Sequence, residues 1–445
     1  MRSPLALAAC ALLAAAVLVG RPAGLGLAVT AWALIAVAAR PRDAWPVAFW
    51  AGAAALAGVA ALRTAPWVVW PALATAAALA SLAASGGATW RQLAAGVARI
   101  ARLDGALAVM RPVATARPRG DWRSPALGAV IGGVLLAIFI PLFASADAAF
   151  AHLLSTAMPD EPVSRPFARA AVFLAVLAAG AGLLWAAAAG VPRAGEGAGA
   201  ARLARLSWAP PLIALVALFA GFVALQLTTL YGGDEHVLRT AGLSYAQYAR
   251  EGFAQLIAAA ALTLAVIAAG VRWAPAGRLR DALLGALCAL TLVVLASALT
   301  RLGLYEEAYG FTRLRLAAHG AILWLGGLFV LVLAAGLARR AGWLPRAAVA
   351  FTGLAVLAFA LADPDRRIAE HNVDRYERTG KLDEDYLAEL SLDAAPALAR
   401  LPDRLAGCAT ASMERELARP DGLAGLNLAR SRARAALPVG TPCVR

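Results

Sequence analysis

Apolar residues in this chain come in long unbroken runs separated by short polar connections, not in the three-to-four-residue recurrence of a soluble amphipathic helix. The runs fall at 4–20, 23–39, 44–62, 66–84, 125–145, 167–190, 208–231, 252–271, 281–300, 316–337 and 343–362. About 20 residues of helix match a hydrocarbon thickness of ~30 Å. Inside hydrocarbon the backbone must satisfy its own hydrogen bonds, so each run predicts a helix. The first two runs are the shortest and are parted only by Arg21-Pro22. Prolines 66, 71, 141, 210 and 211 fall near run ends, where they start or stop helices rather than kink them. No strand alternation is present. The pattern predicts an all-α polytopic membrane protein with about 11 transmembrane helices in residues 1–362 and a polar helical tail in 363–445.

Charge fixes the expected orientation. With the N-terminus inside, the inner connections hold 19 arginines and the outer ones nine. Positive residues favour the cytoplasmic side, so the N-terminus is expected inside and the tail outside a bacterial plasma membrane. The net charge of +14 does not indicate a nucleic-acid partner. Residues 363–445 hold 13 basic and 14 acidic side chains, so the excess belongs to the membrane part. Leu7-Ala8-Ala9-Cys10 mimics a lipoprotein cleavage site, but the apolar run before it is too short for a signal-peptide core.

The longest inner connection, 85–124, contains its own periodicity. Between residues 90 and 107, Trp90, Leu93, Val97, Ile100, Leu103 and Leu107 share one helix side, and Arg91, Arg99 and Arg102 the other. An amphipathic helix lying in the inner interface, its arginines on anionic lipid, fits this pattern, although Asp104 interrupts it. In the tail, Asp363-Pro364 reads as a helix start and Gly380 as its stop. Asp383 is placed to cap a second helix through Tyr386 and Leu390, and Asp393 a third through Leu398 and Leu405.

Polar groups concentrate at span ends. Arg301, Tyr305, Glu306, Glu307, Tyr309, Thr312, Arg313, Arg315 and His319 lie within one connection and its flanks. Arg301, Tyr305 and Tyr309 recur every four residues and share a helix face, and Gly310 permits a turn. Ionisable groups at a bilayer edge are costly, which makes this an outer-face site candidate with Glu306 or Glu307 titrating. An aromatic and arginine anchor belt with paired acids accounts for the same residues. A second outer stretch carries Tyr245, Tyr248 and Arg250. His152, His236, His319 and His371 show no metal-ligand spacing, so no metal is expected. Nucleotide-binding and nucleophile motifs are also missing, and no cofactor is expected. Cys408 and Cys443, both in the tail, are expected to pair outside the cytoplasm.

Leu304-Tyr305-Glu306-Glu307-Ala308-Tyr309-Gly310-Phe311-Thr312-Arg313-Leu314-Arg315 resembles the L-Y-x-x-A-[YF]-G-[LFY]-T-x-x-R signature of a bacterial membrane family, domain of unknown function 4173, with 4153 a close relative. Tyr245 to Phe253 is similar to its Y-x-x-Y-x-R-x-G-F segment. Asn372, Arg375 and Tyr376, then Lys381 and Asp383, then Asp393 to Leu398 resemble its N-[VI]-x-R-Y, T-G-K-L-D and D-A-x-P-A-L run. The resemblance spans roughly residues 125–400 and implies a fold and a set of sites, but no activity.

These observations leave three function classes. The chain is a structural or signalling component whose outer face meets an envelope or membrane protein partner, a small-solute transporter, or an outer-leaflet enzyme. Mid-span positions are nearly free of charge, which disfavours ion-coupled transport. The non-enzymatic class is the expectation, with the lipid bilayer as the constant partner.

Overall fold

The computed structural model describes residues 4–39, 44–99, 205–231 and 253–437, with scattered positions between 169 and 184. Among the described residues the secondary structure is helical, with no strand. Six helices among the described residues are long and apolar enough to cross a membrane, and Leu7–Ala16, Leu25–Ala38 and Trp208–Ala224 are shorter apolar stretches. The expected span 125–145 lies outside the described residues. So do Tyr245, Tyr248, Arg250, His152, His236 and Cys443.

By backbone contact the chain divides into two units, one of residues 1–193, 388–399 and 403–445, the other of 194–387 and 400–402. In the first, α1 (Pro4–Leu18), α2 (Leu25–Ala38), α3 (Ala44–Leu62) and α4 (Pro66–Ser85) pack each on the next. Pro66 opens α4 as expected, but α4 runs on through Pro71. One proline deletes one ladder donor, and the turns on either side hold the helix.

The helix expected at 90–107 begins as α5 (Trp90–Arg99), and its expected second half, 100–107, lies outside the described residues. A reciprocal cap starts it. Thr89 Oγ1 accepts from Gln92 N–H at 3.4 Å, and Gln92 Oε1 accepts from Ala88 and Thr89 N–H at 3.0 and 3.2 Å. The apolar side is split. Leu93 is buried and Ser81 donates to the Gly96 carbonyl at 2.6 Å, so α5 lies on α4, while Trp90 and Val97 stay exposed. Three tail helices belong to the same unit: α13 (Ala395–Leu398), α14 (Asp403–Leu417) and α15 (Leu428–Ala436).

The second unit is built around α8 (Arg278–Tyr309), packed against α6 (Arg205–Tyr231), α7 (Phe253–Trp273) and α9 (Arg313–Leu337). Leu287, Ala298, Leu302, Ile322 and Phe329 are fully buried there. Leu314, Leu323, Leu337 and Leu354 face outward and exposed, which suits lipid rather than water. Apolar side chains gain little from each other in lipid, so close fit must hold these helices. The pairing of α9 with α10 (Leu344–Leu361) shows such a fit: Phe359 seats against Gly320, Phe351 against Gly327, and Trp324 Nε1 donates to Thr352 at 3.0 Å.

Beyond α10 the chain enters α11 (Pro364–Thr379) and α12 (Glu384–Ala388). Gly380 ends α11 with φ 69°, as expected. Asp363 stands at the cap position but makes no side-chain cap, because its backbone is left-handed at φ 57°. The chain turns sharply between α10 and α11 there, and aspartate tolerates that conformation better than most residues. Asp383 does cap α12, accepting from Tyr386 N–H at 3.1 Å.

Candidate functional site: the α8–α9 connection

Helix α8 continues past the apolar run to Tyr309, so Tyr305 and Tyr309 lie one turn apart with ring centroids 5.0 Å apart. Gly310 ends it at φ 80°. A side chain at this position would strike Asn372 Oδ1, so both conformation and space require glycine. Asn372, on α11, pairs with the Phe311 peptide as a neighbouring strand would. Its Oδ1 accepts from Phe311 N–H at 3.2 Å, and its Nδ2 donates to the Phe311 carbonyl at 2.9 Å and to the Ile368 carbonyl at 2.9 Å. The Phe311 and His371 rings lie 4.2 Å apart beside it.

Helix α9 starts with its first amides satisfied. Thr312 Oγ1 accepts from Arg315 N–H at 3.4 Å, and Tyr386 Oη accepts from Arg313 N–H at 2.6 Å. Burial pushes the Tyr386 hydroxyl above its ordinary range. The Arg313 guanidinium forms a fork with Asp365 at 3.1 and 2.7 Å, and the Asp365 carboxylate is wholly buried. Arg315 donates to the Gly310 carbonyl and lies 4.1 Å over the Tyr305 ring.

The adjacent acids part company. Glu306 is 3% exposed, and its Oε1 lies 3.1 Å from His319 Nδ1 on α9, whereas Glu307 is exposed. Arg301 is half-buried on α8. In the tail motif, Arg375 donates to the Lys381 carbonyl at 3.4 Å, Tyr376 is half-buried, and Lys381 is exposed. Among the described residues no group of histidine, cysteine and carboxylates is disposed to hold a metal. Chemically, the reactive element of the cluster is the Glu306–His319 pair, which can share a proton at the end of two membrane helices. The rest of the cluster joins the hairpin connection to the tail.

Two participants were not expected from the sequence. Asp365 is the buried partner of Arg313; its only local signal is an acid in the first turn of α11, beside the more conspicuous Asp363. Asp393 was expected to cap its own segment. Instead, in the first unit, its Oδ2 accepts from Thr64 N–H, Thr64 Oγ1 and Ala65 N–H at 2.8, 2.8 and 3.0 Å, capping α4 from 329 residues away. Its own segment is a 3-10 turn, Leu392–Ala394, followed by α13, and Leu405 belongs to α14.

Asn427 serves the other side of the same α3–α4 turn, donating to the Ala60 and Arg63 carbonyls at 2.9 Å each. The α1–α2 turn is bound as well: Leu25 N–H donates to the Leu426 carbonyl at 2.8 Å. Cys408 is held in a disulfide, while Cys10 and Cys288 are free.

No curated protein and no solved structure matches the chain. A family model does match, over residues 50–401, and it is the one described as domain of unknown function 4153 rather than 4173. It covers well over half of the chain, and the chain therefore belongs to the family of domain of unknown function 4153.

Proposed function

We propose that this protein is an eleven-span protein of the bacterial plasma membrane, N-terminus inside, whose extracytoplasmic tail locks the outer ends of its helices. The locked face then serves as a structural or signalling surface for an envelope or membrane partner. One observation carries the proposal: within each unit, tail residues hydrogen-bond to the turns of helical hairpins. Residues 365, 372 and 386 take the α8–α9 connection, 393 and 427 the α3–α4 turn, and 426 the α1–α2 turn.

All three are connections that the arginine count assigns to the outer side. Within each unit the held turns share the tail's side in the proposed topology, and the arginine count alone gives the orientation. Motif residues committed to hydrogen bonds within the chain suit a scaffold better than a substrate pocket.

Alkaline phosphatase fused after Arg445 is expected to be active, and a green fluorescent protein fused there to stay dark; the opposite pair of results reverses the topology. For the role itself, a photo-crosslinking residue at exposed Asp374 or Arg404 should capture an envelope or membrane protein in living cells.

The Glu306–His319 pair favours a second reading, a proton-linked transporter. Proton-driven solute uptake in proteoliposomes, abolished by Glu306→Gln, would replace the scaffold with it.

A further inference from the structure

The large apolar side chains left most exposed in the described tail are Leu423, Leu426 and Leu428, all within six residues of one loop. The loop is firmly held. Asp421 pairs with Arg434 at 2.9 Å at its base, and that guanidinium keeps the Asp421 carboxyl below its ordinary range. The Gly425 amide donates to the Asp421 carbonyl at 2.9 Å, and Gly422 adopts φ 53° against the Arg21 guanidinium. At the tip, the Leu426 carbonyl accepts the first amide of α2, and the Gly24 and Gly425 backbones touch so closely that a Cβ on Gly24 would lie 2.8 Å from the Gly425 carbonyl carbon. The loop therefore goes wherever the α1–α2 turn goes.

That turn belongs to a short hairpin. Helix α1 has 15 residues and α2 has 14. At a rise of 1.5 Å each, they span roughly 22 and 21 Å, against a hydrocarbon core of ~30 Å. A hairpin this short either draws the bilayer down or leaves its turn below the membrane surface. In both cases the turn, and the loop bonded to it, meet the region where acyl chains give way to headgroups.

We infer that the Leu423–Leu428 loop is a lipid-inserting wedge, its three leucines seated among the upper acyl chains. Exposed Arg21 on the turn and Arg432, one helical turn beyond Leu428, are placed to reach phosphates while their stems lie along apolar surface. Phospholipid is the occupant because the short hairpin brings the leucines to it. A protein partner would have to approach through the headgroups. The inference rests on α1 and α2 both crossing, as proposed above, and does not depend on which side the tail occupies.

The test uses the full chain in liposomes carrying nitroxide near the top of the acyl chain. Cys10 and Cys288 are replaced by alanine, the Cys408 disulfide is kept, and an environment-sensitive dye is placed at Leu423→Cys or, separately, at Leu12→Cys. Leu12 is 62% exposed on α1 and reports whether that helix lies in the bilayer. The expected result is quenching of the Leu423 dye to an extent comparable with Leu12, together with protection from aqueous iodide. A Leu423 dye reached by iodide and untouched by nitroxide overturns the wedge. A dye shielded from both means that protein covers the loop, and overturns it equally. An unquenched Leu12 dye removes the crossing on which the inference stands, a failure separate from that of the wedge.

Discussion

Glu306 and Glu307 differ only by one place in the chain, yet neighbouring positions on a helix point roughly 100° apart. One carboxylate is therefore buried against His319 and the other left exposed. Removing one partner of a buried pair costs roughly 3–5 kcal/mol, and the 26% exposure of His319 puts this pair near the lower figure. Glu307→Gln should stay within about 0.5 kcal/mol of the parent. Thermal unfolding of the purified protein separates the two; equal effects would mean that the burial of Glu306 carries no energetic weight. The sequence marked both acids as one site, because helical spacing shows which residues share a face but not which face a tail helix will cover. Gly310 was legible, since a left-handed helix stop is a local requirement. Its second constraint, the Asn372 side chain, is not local and left no trace nearby.

At the scale of elements, most helix ends among the described residues were readable within a few residues, because hydrophobic length and proline or glycine punctuation act locally. What satisfies those ends was not. Helix α4 takes its cap from Asp393 and α9 one of its caps from Tyr386, both supplied by distant chain. Asp393→Ala should destabilise by roughly 1–2 kcal/mol, as loss of a helix cap does, and chemical unfolding of the detergent-solubilised protein measures it. Exposed Asp403→Ala serves as the comparison and should change little.

Tyr386 allows a test by pH. Burial raises its ionisation in the folded state, so its contribution is fully present below the ordinary tyrosine value near 10 and is lost as pH climbs through the raised one. Ultraviolet titration should find a late tyrosine step, and Tyr386→Phe should remove it.

For the molecule as a whole, the chemistry changes at residue 363, where apolar spans give way to balanced charge. Composition registers that boundary clearly. It carries no record of how the tail is shared out, with residues up to 387 grouped with α6 to α11 and most of the remainder with α1 to α5. The short α1 and α2 were legible as apolar runs but fall under the length of the six longest candidates.

The tail's cysteine chemistry gives a further expectation. Cys408 is disulfide-bonded, Cys10 and Cys288 are free, and Cys443 lies outside the described residues. A Cys408–Cys443 link closes a loop of about 36 residues, worth roughly 3–4 kcal/mol through the unfolded chain. Mass spectrometry without reduction should recover the joined peptides, and an alkylated Cys443 would refute the link.

The cap on α4 also has a place in time. Thr64 and Asp393 are 329 residues apart in the chain. At about 5–20 residues per second of synthesis, the α3–α4 turn stands finished for roughly 15–70 s before the carboxylate that completes it is made. Until then its amides have only water or headgroups to bond. A nascent chain interrupted before the tail carries an early hairpin that nothing later can close, so completion of the last helices is registered at the first ones.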